Sequence, residues 1–217
     1  MTTIRKALVG ERAMSARISA APVLRGEARI RRAEAAQWLL RAADSPSAAA
    51  MEWQRHGVAV LTAGRQWDAV RAPYSAIGRE FGRDTSPEVL RRRLTELGVA
   101  GAVFCDSHRP HVYFLVPPGT DRHWPADAGE AQCLGGTPPY VRLVAVPRLD
   151  IVSLPGVFWL TPPDTGEPRL VDPEHLVQVL HASAAEPTGT AGPAQLHEDP
   201  RTATPVRDRV QDSGSPR

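Results

Sequence analysis

Apolar positions along this chain fall into short blocks whose period switches, and each switch marks an element. Residues 27–43 place Ile30, Leu39 and Leu40 near one face with Arg29, Arg31, Arg32 and Arg41 around it, an amphipathic helical pattern. Ser45-Pro46 starts a second helix, a capping hydroxyl followed by proline at the first helical position, and Gly57 stops it. Val58–Thr62 is apolar, β-branched and short, as a buried strand is. Gly64-Arg65 turns the chain and Trp67–Arg71 alternates as a return strand, which predicts a hairpin. Pro73 opens a helical stretch reaching Phe81. Ser86-Pro87-Glu88 starts another helix, with Val89, Leu90, Leu94 and Leu97 apolar, Arg91, Arg92 and Arg93 on its solvated side, and Gly98 as its stop.

Ala102–Cys105 and Val112–Val116 are the next two strands, and Pro117-Pro118-Gly119 ends the second. Thr120 to Pro139 is a polar, Gly/Pro-rich loop of about twenty residues, a length that marks functional or mobile segments; Gly135-Gly136 reads as loop flexibility. Val141–Val146 and Gly156–Leu160 are strands, and Asp172-Pro173-Glu174 starts a last helix carrying Leu176, Val177, Val179 and Leu180. From Ala182 the apolar periodicity disappears into Glu, Pro, Thr, Gly and Ser. Such a tail does not bury enough surface to offset the entropy of ordering it. The order βααββββα, without regular βαβ alternation, predicts an α+β fold: a small mixed or antiparallel sheet flanked by helices. The chain divides into a basic helical arm at 1–45, a folded domain at 46–181 and a disordered tail at 182–217.

Composition narrows the function classes. Hydrophobic content of 42% supports a real core, while 21 prolines are about twice the usual share. Of 26 basic residues only Lys6 is lysine, the mark of a high-GC coding bias, so the arginine count itself says little. Net charge is +2, unevenly spread: residues 1–41 carry nine Lys/Arg against three Glu, and 42–181 carry 13 against 16 acids. A basic arm on a slightly acidic core suits phosphate contact; a merely solvated helix is the plainer reading. Two cysteines are too few for a disulfide framework, and no stretch reaches the length of a membrane span. No apolar segment follows the N-terminal charges as a secretory signal requires, so a cytoplasmic protein without membrane attachment is expected.

Candidate chemistry is densest at Cys105-Asp106-Ser107-His108-Arg109-Pro110-His111. Cys105, His108 and His111, with Cys133 downstream, are zinc-type ligands in a spacing unlike a standard finger, and a thiol ending an apolar strand is also an ordinary buried residue. Strand alternation puts Val112, Phe114 and Val116 on one face and His111, Tyr113 and Leu115 on the other. If the first set faces the helices, His111 and Tyr113 lie on an open sheet face, where a histidine can donate to phosphate or carboxylate. An ordinary half-exposed strand histidine is the alternative. No Gly-x-Ser-x-Gly elbow, Gly-rich phosphate loop or dinucleotide fingerprint occurs, and Asp68, Asp106 and Asp150 are isolated in sequence.

Two blocks resemble the bifunctional primase-polymerase domain of plasmid, phage and high-GC bacterial replication proteins. Val58-Ala-Val-Leu-Thr-Ala-Gly-Arg-Gln-Trp-Asp-Ala-Val-Arg-Ala-Pro73 is similar to that family's strand, Thr-Gly turn and return strand. Ser107-His-Arg-Pro-His111-Val-Tyr-Phe-Leu-Val-Pro117 is similar to its Ser-Gly-Gly-x-His motif and following strand, with His108 and Arg109 in place of the two glycines. Val144-Ala-Val-Pro147 is similar to its closing strand. The resemblance implies a phosphate-contacting His111 with Ser107 beside it, and a ligand site drawing on Gly64, Arg65 and Tyr113. It also implies metal-binding acids on the return strand, yet those positions fall near Pro73 and Ser75, and neither replaces a carboxylate. Nucleotidyl transfer needs carboxylates to hold its ions. The expectation is therefore a degenerate, non-catalytic domain that binds nucleotide or single-stranded DNA. The alternative is an interaction scaffold whose tail recruits a protein partner. An active Mg- or Mn-dependent nucleotidyltransferase or nuclease would need distant acids such as Asp68, Asp106 and Asp150 to converge; the candidate metal ligands are Asp68, Asp106, Cys105 and His108.

Overall fold

The computed structural model describes residues 26–163 and 169–185. Helix α1 covers 26–40 and α2 Pro46–His56. The Ser45 hydroxyl accepts from the Ala48 N–H, and Gly57, at φ 72°, closes the helix through an N–H to Trp53 O. Helix α3, Pro87–Glu96, starts the same way on Ser86, whose hydroxyl accepts from Val89 N, and α4 is Pro173–Ala185. The expected Pro73–Phe81 helix is instead a single 3-10 turn, Tyr74–Ala76. Gly78 interrupts it, packed so closely on the Phe81 ring that a Cβ there would come within 2.7 Å.

Among the described residues, seven strands form two antiparallel sheets: β1 Val58–Thr62, β2 Asp68–Pro73, β3 Val103–Asp106, β4 His111–Val116, β5 Gln132–Leu134, β6 Leu143–Pro147 and β7 Val157–Thr161. One sheet runs β5-β2-β4-β3-β7 and the other is the ribbon β1-β6. The α+β class with helices flanking antiparallel sheets is as expected. The hairpin is not: β1 pairs with β6, and β2 lies between β5 and β4. The outer edge of β1 is already satisfied, because Val60 N–H donates to Glu52 Oε2 and Thr62 N–H to Ala42 O. Strand β2, buried on both faces at Ala69, Val70 and Ala72, belongs inside a covered sheet. The expected long loop also holds an element, β5, which adds to the edge of β2. Gly135 and Gly136 are contact residues rather than flexible ones: a Cβ on Gly135 would meet the Asp121 side chain, and Gly136 lies against the Gly64 backbone.

Each face of the five-stranded sheet is covered. On one side Val70, Val112, Phe114 and Phe158 meet Leu90 and Leu94 of α3 and Leu176 and Leu180 of α4. On the other, Ala69, Phe104, Leu115 and Trp159 meet Leu61 and Val146 of the ribbon, Leu39 of α1 and Trp53 of α2. The face carrying Leu115, expected to be open, is thus roofed by the ribbon and two helices. The lead-in helix docks: Ala35, Leu39 and Ala42 are fully buried in this cluster. Two indoles fix the roof, Trp53 donating to Val146 O and Trp159 to Pro147 O, each at 3.0 Å.

Of the α3 arginines only Arg92 is the expected solvated residue; Arg91 and Arg93 are engaged. Arg91 donates to Leu160 O at 3.1 Å, to Trp159 O at 3.2 Å and to Val152 O, and Arg93 donates to Ile77 O at 2.7 Å. Helix α4 runs past the expected boundary at Ala182 and buries Ser183. The rest of the tail reading, 186–217, and residues 1–25 of the arm lie outside the described residues. Among the described residues, no helix is long and apolar enough to cross a membrane.

Candidate functional site

The roof stops short of one end of the sheet. Strand pairing sets Pro73, His111 and Asp106 side by side on β2, β4 and β3. One pleat further, Gln132, Arg71, Tyr113, Phe104 and Trp159 form a cross-strand row. The period of two puts both rows on the roofed face. Leu115 and Ala69, the next row, are fully buried, while Arg71, Pro73, Asp106, His111 and Tyr113 are half-buried. Phe104 and Trp159 are also fully buried, so the strip that the ribbon leaves accessible is Gln132, Arg71 and Tyr113 with Pro73, His111 and Asp106.

Within the strip, Arg71 Nη2 donates to Gln132 Oε1 at 2.9 Å. Tyr113 stacks on Phe104 with ring centres 4.7 Å apart and planes 3° from parallel, and Phe104 meets Trp159 edge-on at 5.3 Å. Burial pushes the Tyr113 phenol above its ordinary range, against the pull of the Arg71 charge. Asp106 Oδ1 accepts from the N–H groups of His108 at 2.9 Å and Arg109 at 3.3 Å, which folds the β3–β4 turn and leaves Arg109 exposed beside the strip. His111 Nδ1 lies 3.2 Å from Arg109 O, and Nε2 has no partner among the described residues. The strip gathers two guanidinium groups, an imidazole and an aromatic ring, with one carboxylate engaged by backbone.

Of the residues singled out from sequence, His111 and Tyr113 fall here. Ser107 does not: its hydroxyl donates to Gly156 O at 3.1 Å and accepts from Gly156 N at 3.0 Å, tying the β3–β4 turn to the start of β7. Gly64 and Arg65 precede β2 at its far end, five residue steps or about 17 Å from the Pro73 end. There Gly64 packs on Gly136, and Arg65 pairs with Asp44. Arg71 and Gln132 went unnoticed in the sequence. The one charge between Ala69 and Pro73 is a signal for Arg71; nothing in the sequence marks Gln132, whose strand lies in a polar, Gly/Pro-rich stretch.

The candidate acids do not converge. Asp68 is fully buried at the start of β2, on the α3–α4 side, where Oδ2 accepts from Asp121 N at 3.0 Å and Oδ1 has no hydrogen-bond partner among the described residues. Asp106 sits at the opposite end of the sheet on the opposite face, and Asp150 is exposed and paired with Arg148. Nor do the zinc-type ligands gather. Cys105 faces the α3–α4 side, His111 the strip, and His108 is exposed, while Cys133 lies three strands from Cys105. Burial pushes the Cys105 thiol up to about 12. Among the described residues, no three His, Cys, Asp or Glu side chains stand together as metal ligands. Pro73, where the resemblance would require an acid, is the direct cross-strand neighbour of His111. In comparisons with known proteins, no family model, no curated protein and no solved structure matches this chain.

Proposed function

We propose that this chain is a degenerate primase-polymerase-like domain that binds nucleotide or single-stranded nucleic acid on the strip, in the cytoplasm, without extending it. The carrying observation is Arg71 and Tyr113 beside His111 on an accessible part of an otherwise roofed sheet, with the buried Phe104 stacked against Tyr113. Phosphate calls for guanidinium donors, and bases call for an aromatic platform; the strip offers both within one pleat. Pro73 beside His111 supports loss of metal-dependent transfer, since a proline side chain offers no carboxylate to hold an ion.

The test is fluorescence anisotropy of labelled oligo-dT and of a labelled nucleotide, with and without Mn²⁺, over about 50–300 mM salt. Wild-type binding should weaken steeply with salt. Arg71→Ala, Tyr113→Ala and His111→Ala, each checked for native circular dichroism, should weaken binding about tenfold, within the range of about 1–3 kcal/mol for one stacked base. Absent or salt-insensitive binding would remove the proposal. It would leave an interaction scaffold, a reading favoured by the exposed Val60, Tyr140, Val141 and Leu143 on and beside the ribbon.

A further inference from the structure

Helix α1 carries chemistry that the strip does not use. Arg29, Arg32, Ala33 and Ala36 follow the i, i+3, i+4, i+7 spacing of one helical face. That face lines a cleft of about 350 Å³, closed on the far side by Trp53 and by Arg148, Leu149 and Asp150 just after β6. A smaller cleft of about 140 Å³ shares Arg32 and Leu149 and adds Arg31, Pro162 and Pro163.

The floor and rim of the larger cleft differ in character. Ala36, Trp53 and Leu149 make an apolar floor, and Trp53 is fixed by its indole bond to Val146 O. On the rim, Asp150 accepts two hydrogen bonds from Arg148, at 2.6 and 2.9 Å, so this pair is neutral in sum. Arg148 hydrogen bonds, and at longer range the Arg32 charge, hold the Asp150 carboxyl below its usual range. Arg29, Arg31 and Arg32 make no hydrogen bond or ion pair among the described residues. Like charges one turn apart weaken a helix unless something answers them.

We propose that this cleft binds a small amphipathic organic anion, with its phosphate or carboxylate between Arg29 and Arg32 and a flat apolar body on Ala36, Trp53 and Leu149. A bare inorganic anion leaves the floor uncovered, and a neutral apolar molecule leaves both guanidinium groups unanswered. The volume lies at the lower end of small-molecule sites, about 300–1,000 Å³, and suits a body of one or two fused rings. No residue is shared with the strip, so this site and the nucleic-acid reading stand or fall separately.

The experiment is calorimetric titration of the full chain with 1-naphthyl phosphate, 1-naphthoate, inorganic phosphate and 1-naphthol. Both naphthyl anions should bind at least tenfold tighter than phosphate or naphthol, and saturation should shift the Trp53 indole N–H resonance. Arg29→Gln/Arg32→Gln, which changes only exposed side chains, should keep the wild-type melting temperature and lose at least tenfold in affinity for both anions. Arg71→Ala should leave that affinity unchanged. Equal binding of naphthyl phosphate and inorganic phosphate, full affinity in the double variant, or loss in Arg71→Ala would each overturn the proposal. Binding of one naphthyl anion but not the other would keep the site and settle which anionic group it accepts.

Discussion

Asp68 shows how one side chain couples burial to pH. Burial, opposed by the Asp121 N–H and reinforced by the Asp121 charge, holds its carboxyl above the ordinary carboxylate range. A proton therefore binds it more tightly in the folded chain than in the unfolded one. The stability linked to Asp68 is full at acid pH and is lost as pH rises through the raised folded value. Asp121 has the opposite sign: burial raises its carboxyl, but the Thr137 hydrogen bonds and Arg122 outweigh this and lower it, so its contribution is lost on acidification. Asp68→Asn keeps an acceptor for Asp121 N–H and removes the buried charge. It should raise stability by about 1 kcal/mol at pH 7, with the gain narrowing toward pH 4. Urea midpoints across that range check this, and a gain constant with pH would show that charge is not the cause. Sequence flagged Asp68 as a metal candidate. Its burial beneath Asp121, 53 residues on, is visible only in the folded chain.

At the scale of elements, helix starts were legible and strand partners were not. Ser45-Pro46, Ser86-Pro87 and Asp172-Pro173 all open helices, because a cap and a proline act within one turn. Strand β1 chooses β6 over its sequence neighbour through contacts 80 or more residues away, which no local pattern encodes. The β1–β2 connection depends on a backbone approach instead. Gly64, at φ 92°, faces Gly136 so closely that a Cβ would lie 2.3 Å from the Gly136 Cα. Gly64→Ala should cost at least about 2 kcal/mol, combining left-handed strain with a backbone clash. Gly82→Ala, with no atom within 4 Å of a new Cβ, should be neutral within about 0.5 kcal/mol. Thermal denaturation of the pair decides: equal melting temperatures would mean that the Gly64–Gly136 contact carries no constraint.

Across the whole molecule, α1 is part of the folded body rather than an appended arm. Leu39 is fully buried among residues of the ribbon, α2 and the five-stranded sheet. Leu39→Ala should therefore destabilise the entire chain by about 3 kcal/mol, the usual cost of a buried leucine truncation. Tryptophan fluorescence and far-ultraviolet circular dichroism should follow one shifted transition. An unshifted midpoint, or a separate early transition for α1 alone, would restore the arm as an independent element. The same roof defines the strip: by covering Leu115 and Ala69 but not Tyr113 and His111, it turns part of a sheet face into a candidate surface.

The sequence by itself determined the α+β class, the capped starts of α2, α3 and α4, most strand positions and the face alternation of β4, because capping, proline geometry and the period of two act over a few residues. The tertiary structure alone decided the pairing of β1 with β6, the edge strand β5, the docking of α1 and the engagement of Ser107 and Arg91. It also decided that Arg71 joins His111 and Tyr113 while Asp68, Asp106 and Asp150 stay apart. Each of these turns on burial and hydrogen bonding between segments distant in the chain. A residue's neighbours across a sheet follow from register, and register follows from the whole core.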